Sequence, residues 1–299
     1  MLQEWKYGQP NWGDLERTTA TERADRLAGI LRLETKPATL RCLDLVAFTL
    51  TDGPQGRLDF GFLYRPPPFA DGIAAPLTLH TALATLSERR RPTLAERFGM
   101  AATLAESLLA FHTANWLHKA VCSANMLFFS DAHTEAPDFR QPFVAGFEFA
   151  RPDTVRDLTI DGSTGAASFD LYCHPELVAF LTGDMRGRKR YQRCFDIYGL
   201  GVVLLEIGCW MTAGAIVQSR RGMAGAPHEH LFETTKVSLP SRVGTRYKQA
   251  VCACLSWEGD ENEDEAGLGP EELRMQKQSQ IERFANTVVS ALRDCHCML

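Results

Sequence analysis

The chain has 299 residues, of which 45% are hydrophobic and 23% are charged, and its formal net charge is −5. This composition excludes a disordered tail, and the acidic balance, without a segment that combines dense Lys/Arg with aromatic residues, argues against a nucleic-acid partner. No apolar run reaches the ~18 residues that a helix needs to cross a bilayer, so we expect no membrane span.

The first part of the chain, residues 1–68, is predicted to contain one helix and short strands. Strands are predicted over residues 40–50 and 58–64, with turn residues at 52–56 between them. The proline run at 66–68 predicts a hinge. The helix is predicted to have its cap at one of two adjacent threonines and an apolar stripe further on: Thr18 or Thr19, then Leu27, Ile30 and Leu31.

From residue 69 onward the pattern is mainly helical. An amphipathic helix is predicted over residues 93–113, with Thr93 as its cap. A helix over residues 196–210 has no polar face, which predicts that it is buried. A final helix is predicted over residues 281–292. The segments between these helices are predicted to be a short strand and turn at 142–151, and polar loops at 131–141, 154–168 and 257–265.

The loop that follows the helix at 93–113 carries the most informative pattern of the chain. His118 and Asn125 match the first and last letters of H-R-D-L-x-x-x-N, the catalytic loop of protein kinases, with the spacing of that family. Lys119 stands at the Arg position and Ala120 at the Asp position. Phosphoryl transfer relies on this Asp to orient the substrate hydroxyl and accept its proton, and alanine has no polar atom for either task.

Three later segments resemble kinase motifs in the same order. Phe147 matches the Phe of D-F-G, whereas Gly146 stands where the magnesium-binding Asp belongs. Residues 174–176 resemble A-P-E, which places Glu176 at the Glu. Asp196 opens a segment similar to the buried kinase helix D-x-W-S-x-G-V-x-L-x-E.

The particular residues in these motifs are similar to those of kinase-like domains of filamentous fungi. Such domains often lie C-terminal to helical domains of the HeLo or prion-inhibition type. The resemblance extends from residue 2 to the last helix. It implies an α+β, bilobal, protein-kinase-like fold with a truncated N-lobe, a small sheet plus one helix at 1–68, and a mainly helical C-lobe at 69–299. It also implies a signalling role linked to heterokaryon incompatibility or programmed cell death.

The resemblance further implies a remnant of an ATP site. Lys6 stands at the position of the kinase strand Lys that contacts the ATP phosphates, and Glu22 at the position of the helical Glu that pairs with it. The alternative is that Lys6 is a solvated side chain. Asn125 either holds a metal ion or braces the loop. Glu148 either replaces the missing metal carboxylate or pairs with Lys119 or Arg151. No G-x-G-x-x-G occurs, so the Gly-rich loop over the phosphates is missing.

Other motif residues are expected to be structural. His118 is predicted to pack in the loop rather than act as a base, and Phe147 to lie in the core. Glu176 is predicted to form a buried ion pair with a distant Arg, for which Arg246 is a candidate. Asp196 is predicted to accept hydrogen bonds from the backbone N–H groups of the loop.

We therefore expect a catalytically inactive signalling or interaction module with a protein partner and neither cofactor nor metal. Nine cysteines without a CxxC pair predict reduced thiols and a cytoplasmic location. Two alternatives stay open. One is an atypical ATP-dependent kinase that uses Glu148 and Asn125 for magnesium. The other is a fragment of a longer protein whose N-terminal domain carries the function.

Overall fold

A computed structural model describes residues 1–10, 12–70, 75–130, 136–153, 170–181, 191–258 and 269–298. The protein belongs to the α+β class, and helices predominate after the first strands. The predicted loop at 154–168 lies outside the described residues, as does most of the acidic loop at 257–265.

The N-terminal strands form one antiparallel sheet. Its strands are β1 (Leu2–Tyr7), β2 (Asp44–Asp52) and β3 (Leu58–Arg65), and their spatial order is β1-β3-β2. Both predicted strands are confirmed, although β2 begins at Asp44 rather than at residue 40. The alternating aromatic residues of β3 are buried against the rest of the core, as a half-buried strand requires: Phe60, Phe62 and Tyr64.

The first helix, α1 (Asp14–Leu31), begins earlier than predicted. Its N-cap is Gly13, and the prediction of a cap at Thr18 or Thr19 is wrong. Both threonine hydroxyls donate to carbonyl oxygens four residues earlier, at 2.8 Å each. Threonine forms this bond readily inside a helix, so its presence does not mark a helix start by itself. The predicted apolar stripe is present, with Leu27 and Leu31 buried and Ile30 partly so.

Short strands hold the middle of the chain together. A small antiparallel sheet has the order β4-β6-β7, and a separate pair joins β5 to β8. The bounds of these strands are β4 (Leu77–Thr78), β5 (Trp116–Leu117), β6 (Met126–Phe128), β7 (Phe143–Val144) and β8 (Arg151–Pro152).

Helices make up most of the remainder. They are α2 (Leu79–Thr85), α3 (Leu94–Thr113), α4 (Pro175–Leu181), α5 (Arg193–Cys209), α6 (Ala213–Ser219), α7 (Pro227–Val237), α8 (Pro240–Leu255), α9 (Pro270–Phe284) and α10 (Ser290–Cys297). A π-helical turn, Ala285–Val289, joins α9 to α10. The predicted final helix is therefore longer than residues 281–292. Three of its apolar side chains are buried in the core: Phe284, Val288 and Leu292.

Two predicted helices are confirmed with their reasons. The first is α3, which begins after its cap Thr93. The Thr93 hydroxyl accepts a hydrogen bond from Glu96 N, and the Glu96 carboxylate accepts one from Thr93 N, so the two residues form a capping box. The second is α5, in which every residue is buried. A helix that is apolar all round belongs in the core, and α5 packs against α3 and α8.

No single helix among the described residues is long and apolar enough to cross a bilayer. Helices α5 and α6 together meet the criteria of length and hydropathy, but only as a pair bent by 72°.

The glycines of α5 and α1 give a matched test of core packing. A Cβ on Gly199 would lie 2.7 Å from the Val121 carbonyl oxygen, whereas a Cβ on Gly29 has nothing within 4 Å. We expect Gly199→Ala to lower the free energy of unfolding by about 1–3 kcal/mol through overpacking. Gly29→Ala should raise it by roughly 0.5–1 kcal/mol, because alanine is favoured inside a helix. Denaturant unfolding measures both, and equal effects would contradict the position of α5 against the loop.

Candidate functional site: the loop around Ala120

The loop of interest connects β5 to β6, directly after α3. It contains His118, Lys119 and Ala120, and ends in a short helical turn, Ser123–Asn125. Lys119 has a left-handed backbone with φ +66°. A non-glycine residue in this conformation costs free energy, so the surrounding contacts must fix it.

Asp196 supplies those contacts. Its carboxylate accepts from the backbone N–H groups of His118 and Lys119, each at 2.8 Å. These are the two bonds that the sequence predicts. The same carboxylate is 3.1 Å from His112 Nε2 and accepts from the Tyr191 hydroxyl at 2.9 Å. Asp196 is completely buried. All four partners lie outside α5, so one side chain fastens the loop, α3 and the segment that precedes α5 to this helix.

The hydrogen bonds of Asp196 keep its carboxylate charged. Burial alone would raise the pKa of Asp196, but the hydrogen bond with His112 and the bond from the His118 N–H group outweigh it and hold the pKa below its usual range. At neutral pH the buried charge is therefore stable. The negative charge strengthens each hydrogen bond that it accepts.

His118 is a packed core residue, as predicted. Its ring lies 5.8 Å from the ring of Phe111 and 5.0 Å from that of Phe147, and its Nδ1 accepts from Ala120 N at 3.3 Å. Nε2 lies near the Ala145 backbone but outside normal hydrogen-bond geometry. Burial lowers the pKa of His118 to about 4, against an opposing effect of the Asp196 charge. The ring is therefore neutral at pH 7 and closed off from any substrate.

Asn125 braces the loop on its other side. Its Nδ2 donates to the Ala120 carbonyl at 2.8 Å, and its own backbone carbonyl accepts from Ala145 N at 2.9 Å. Gly146 has φ +81°, and a Cβ placed on it would lie 2.2 Å from Asn125 Nδ2. The amide of Asn125 therefore occupies the space that a side chain at position 146 would need. Ala120 itself is 1% exposed.

The carboxylate of Glu4, in β1, contacts the backbone of Gly146, and sequence reasoning missed this contact. Its Oε1 accepts from Gly146 N at 2.9 Å, and its Oε2 accepts from the Tyr64 hydroxyl at 3.0 Å. Burial raises the pKa of Glu4, although these hydrogen bonds oppose the effect. The signal that could have revealed it is the alternation of β1, which turns Leu2, Glu4 and Lys6 to the less exposed face.

The other residues of the predicted ATP-site remnant are distributed as follows. Lys6 is half-buried on β1 opposite Phe60, and Glu22 is exposed on α1. The side chain of Glu148 lies outside the described part of the chain, so its assignment to a metal or to an ion pair stays a prediction. The pairing of Lys6 with Glu22 also stays a prediction. Within the described ranges, no group of three or more His, Cys, Asp or Glu side chains is arranged to hold a metal ion.

The predicted burial of Glu176 and its pairing with Arg246 are wrong, whereas an ion pair of Glu176 with another Arg stays a prediction. Glu176 is exposed in the first turn of α4, where a carboxylate is favoured by the helix dipole, and Arg246 lies 2.9 Å from Asp294 instead. The buried glutamate of this region is Glu206.

Glu206 is held by hydrogen bonds rather than by an arginine. Its Oε1 accepts from the Tyr172 hydroxyl and from Ala213 N, each at 2.7 Å. The Tyr172 hydroxyl also lies 2.7 Å from the hydroxyl of Ser123, in the loop. Burial raises the pKa of Glu206 to about 7, and the two hydrogen bonds limit the rise. This chain of polar groups gives α5 a second connection to the loop.

Comparison with protein-family models and curated sequences adds no relative to this picture. No protein-family model matches the chain, and no curated protein sequence matches it. The function is therefore inferred from the geometry and chemistry of the chain's own residues.

The Asp196 contacts predict a large effect of one substitution. Asp196→Ala should lower the free energy of unfolding by about 3–5 kcal/mol, because it leaves several buried donors without an acceptor. Asp25→Ala, at an exposed position of α1, is the matched control and should change stability by less than about 0.5 kcal/mol. Denaturant unfolding of both variants measures the difference. Melting of Asp196→Ala together with the parent would mean that α5 does not hold the loop.

Proposed function

We propose that the chain is a protein-kinase-like domain that has lost phosphoryl transfer and acts as a signalling or interaction module. The observation that carries the proposal is the set of contacts that Ala120, Asn125 and Gly146 make in the loop region. Ala120 is buried, and the Asn125 amide is engaged with the Ala120 carbonyl and packed against Gly146. The two positions at which a kinase needs carboxylates are thus Ala120 and Gly146, and the uncharged amide of Asn125 contacts both.

Phosphoryl transfer depends on groups that this loop lacks. A kinase positions the substrate hydroxyl with an Asp and holds magnesium with a second Asp and an Asn. In this chain the first position is Ala120 and the second is Gly146, and Asn125 donates to a backbone carbonyl. Preorganised charges of this kind are the largest part of many catalytic effects. Their combined loss supports an inactive module.

The arrangement of the elements supports a bilobal, kinase-like fold. The antiparallel sheet β1-β3-β2 and helix α1 precede the prolines at 66–68, and the long helix α3, the loop and the buried helix α5 follow in that order. We take residues 1–68 as a truncated N-lobe and residues 69–299 as a C-lobe. The bonds from Asp196 to the loop support the match of α5 to the buried kinase helix.

Glu4 supports a role that does not require nucleotide. Its carboxylate connects β1 directly to the backbone of Gly146, so the sheet and the loop region are tied together by groups of the chain itself. A domain that is ordered in this way offers a fixed surface to a protein partner in the cytoplasm. A link to fungal incompatibility or cell death would follow from the resemblance in sequence.

A phosphoryl-transfer assay tests the proposal. The purified chain, incubated with labelled ATP and magnesium, should label neither itself nor a general protein substrate above background, while an active protein kinase in the same assay does. Ala120→Asp should stay inactive, because position 146 still offers no carboxylate. Ala120→Asp with Gly146→Asp should stay inactive as well and melt lower, since Gly146 has φ +81° and no space for a Cβ.

Two results would contradict the proposal. One is ATP- and magnesium-dependent labelling by the parent that disappears in Asn125→Ala. The other is turnover by the Ala120→Asp variant, which would mean that another group already holds the metal.

A further inference from the structure

A concave site whose lining contains no residue of the Ala120 loop lies in the helical part of the chain. It is a pocket of about 430 Å³ between the start of α4, the middle of α5, the end of α6, helix α7 and the end of α8. Pockets of roughly 300–1,000 Å³ are the usual size for small-molecule ligands. Its lining includes Pro175, Tyr198, Arg220, His230, Phe232 and Leu255.

Arg220 is the unusual member of this lining. Its backbone N–H bonds to Val217 at the end of α6, but its guanidinium has no ion pair and no side-chain hydrogen bond within the described residues. The side chain is half-buried, and Nε is shielded from solvent without an acceptor. By contrast, the guanidinium groups of Arg97 and Arg242 donate to backbone carbonyls. An N–H group that is shielded without an acceptor costs stability, and an anion in the pocket could accept from it.

The acidic residues at the pocket do not fill this role, because each has a donor on its own helix. Glu229 Oε2 accepts from Ala226 N at 2.8 Å, and Glu233 Oε1 lies 3.4 Å from Lys236 Nζ. Arg220 is thus the charged residue of this lining whose side chain has no partner within the described residues, and it is the group available to an anionic ligand.

The rest of the lining indicates what accompanies the anionic group. Tyr198, Phe232 and Leu255 present aromatic and aliphatic surface. His230 is 9% exposed, and its Nε2 donates to the Ala224 carbonyl at 3.4 Å. Its Nδ1 is left as an acceptor without a partner. A ligand with an apolar body and one anionic group matches the apolar lining and the Arg220 guanidinium. A hydroxyl on the anionic group could donate a hydrogen bond to His230 Nδ1.

We propose that this pocket binds a small organic anion, a carboxylate or a phosphate monoester, with its charged group on Arg220 and its apolar body between Tyr198 and Phe232. The site is separate from the Ala120 loop and does not depend on whether the domain transfers phosphate. The monoester is distinguished from the carboxylate in its singly protonated form, which predominates below a second pKa of about 6 and carries a P–OH group that can donate to His230 Nδ1.

Calorimetric titration of the full chain tests the proposal with three probes of similar body: phenylacetate, phenyl phosphate and the uncharged benzyl alcohol. We expect saturable binding of at least one anion and none of the alcohol. Arg220→Gln should weaken that binding at least tenfold. Arg221→Gln, at the exposed neighbouring position that does not line the pocket, should leave it unchanged.

A thermal melt without ligand tests whether weaker binding by Arg220→Gln comes from misfolding of the variant. Arg220→Gln should melt at or above the temperature of the parent, because it removes an unpaired charge. The proposal is overturned if neither anion binds saturably, if benzyl alcohol binds as well as the anions, or if Arg220→Gln and Arg221→Gln bind alike. Preference for phenyl phosphate that is lost in His230→Phe identifies the monoester as the ligand class, and equal binding of both anions identifies the shared negative charge.

Discussion

The buried carboxylate of Asp196 is the interaction on which the rest of the structure depends. A charge in the middle of the core is stable only when it is fully hydrogen-bonded, and Asp196 meets this condition with donors from His112, His118, Lys119 and Tyr191. Because two of these donors are backbone N–H groups, the carboxylate fixes the course of the loop itself. The left-handed conformation of Lys119 follows from this requirement.

Charged groups at the start of α5 extend this framework to the C-terminal helices. Arg193, one turn before Asp196, is buried and lies 3.1 Å from Asp153 Oδ2, while its Nη1 donates to the Lys277 carbonyl. Lys277 in turn lies 3.2 Å from Asp153. The same end of α5 thereby holds β8, the loop and α9. Such a framework preserves the shape of the loop whether or not the loop performs chemistry. Because the contacts that fold the loop are distinct from groups that would act in catalysis, the proposal of a non-catalytic domain is physically reasonable.

Much of this arrangement could be predicted from sequence because it depends on local patterns. The apolar run of α5 predicts burial, a charged residue at its start predicts satisfied hydrogen bonds, and Thr93 predicts the start of α3. Glu4 could not be predicted in the same way. Its partner Gly146 is 142 residues away, and no local pattern identifies which inward carboxylate meets which backbone N–H group.

The wrong predictions have the same physical origin. A threonine hydroxyl bonds equally well to the fourth preceding carbonyl as to a helix N-terminus, so Thr18 and Thr19 are ambiguous until the start of α1 is known. Glu176 matches a motif by its letters, but its burial depends on chain segments that meet only in the folded protein. The pocket at Arg220 was not predicted at all, since it is built from five helices and no segment of the sequence contains it.

The central claim is that Asn125 and its neighbours brace the loop and do not hold a nucleotide with its metal. The most direct measurement is the melting temperature of the purified chain with ATP, with and without magnesium, for the parent and for Asn125→Ala. The account predicts that neither addition changes the melting temperature of either protein. A magnesium-dependent rise in the parent that is lost in Asn125→Ala would contradict it.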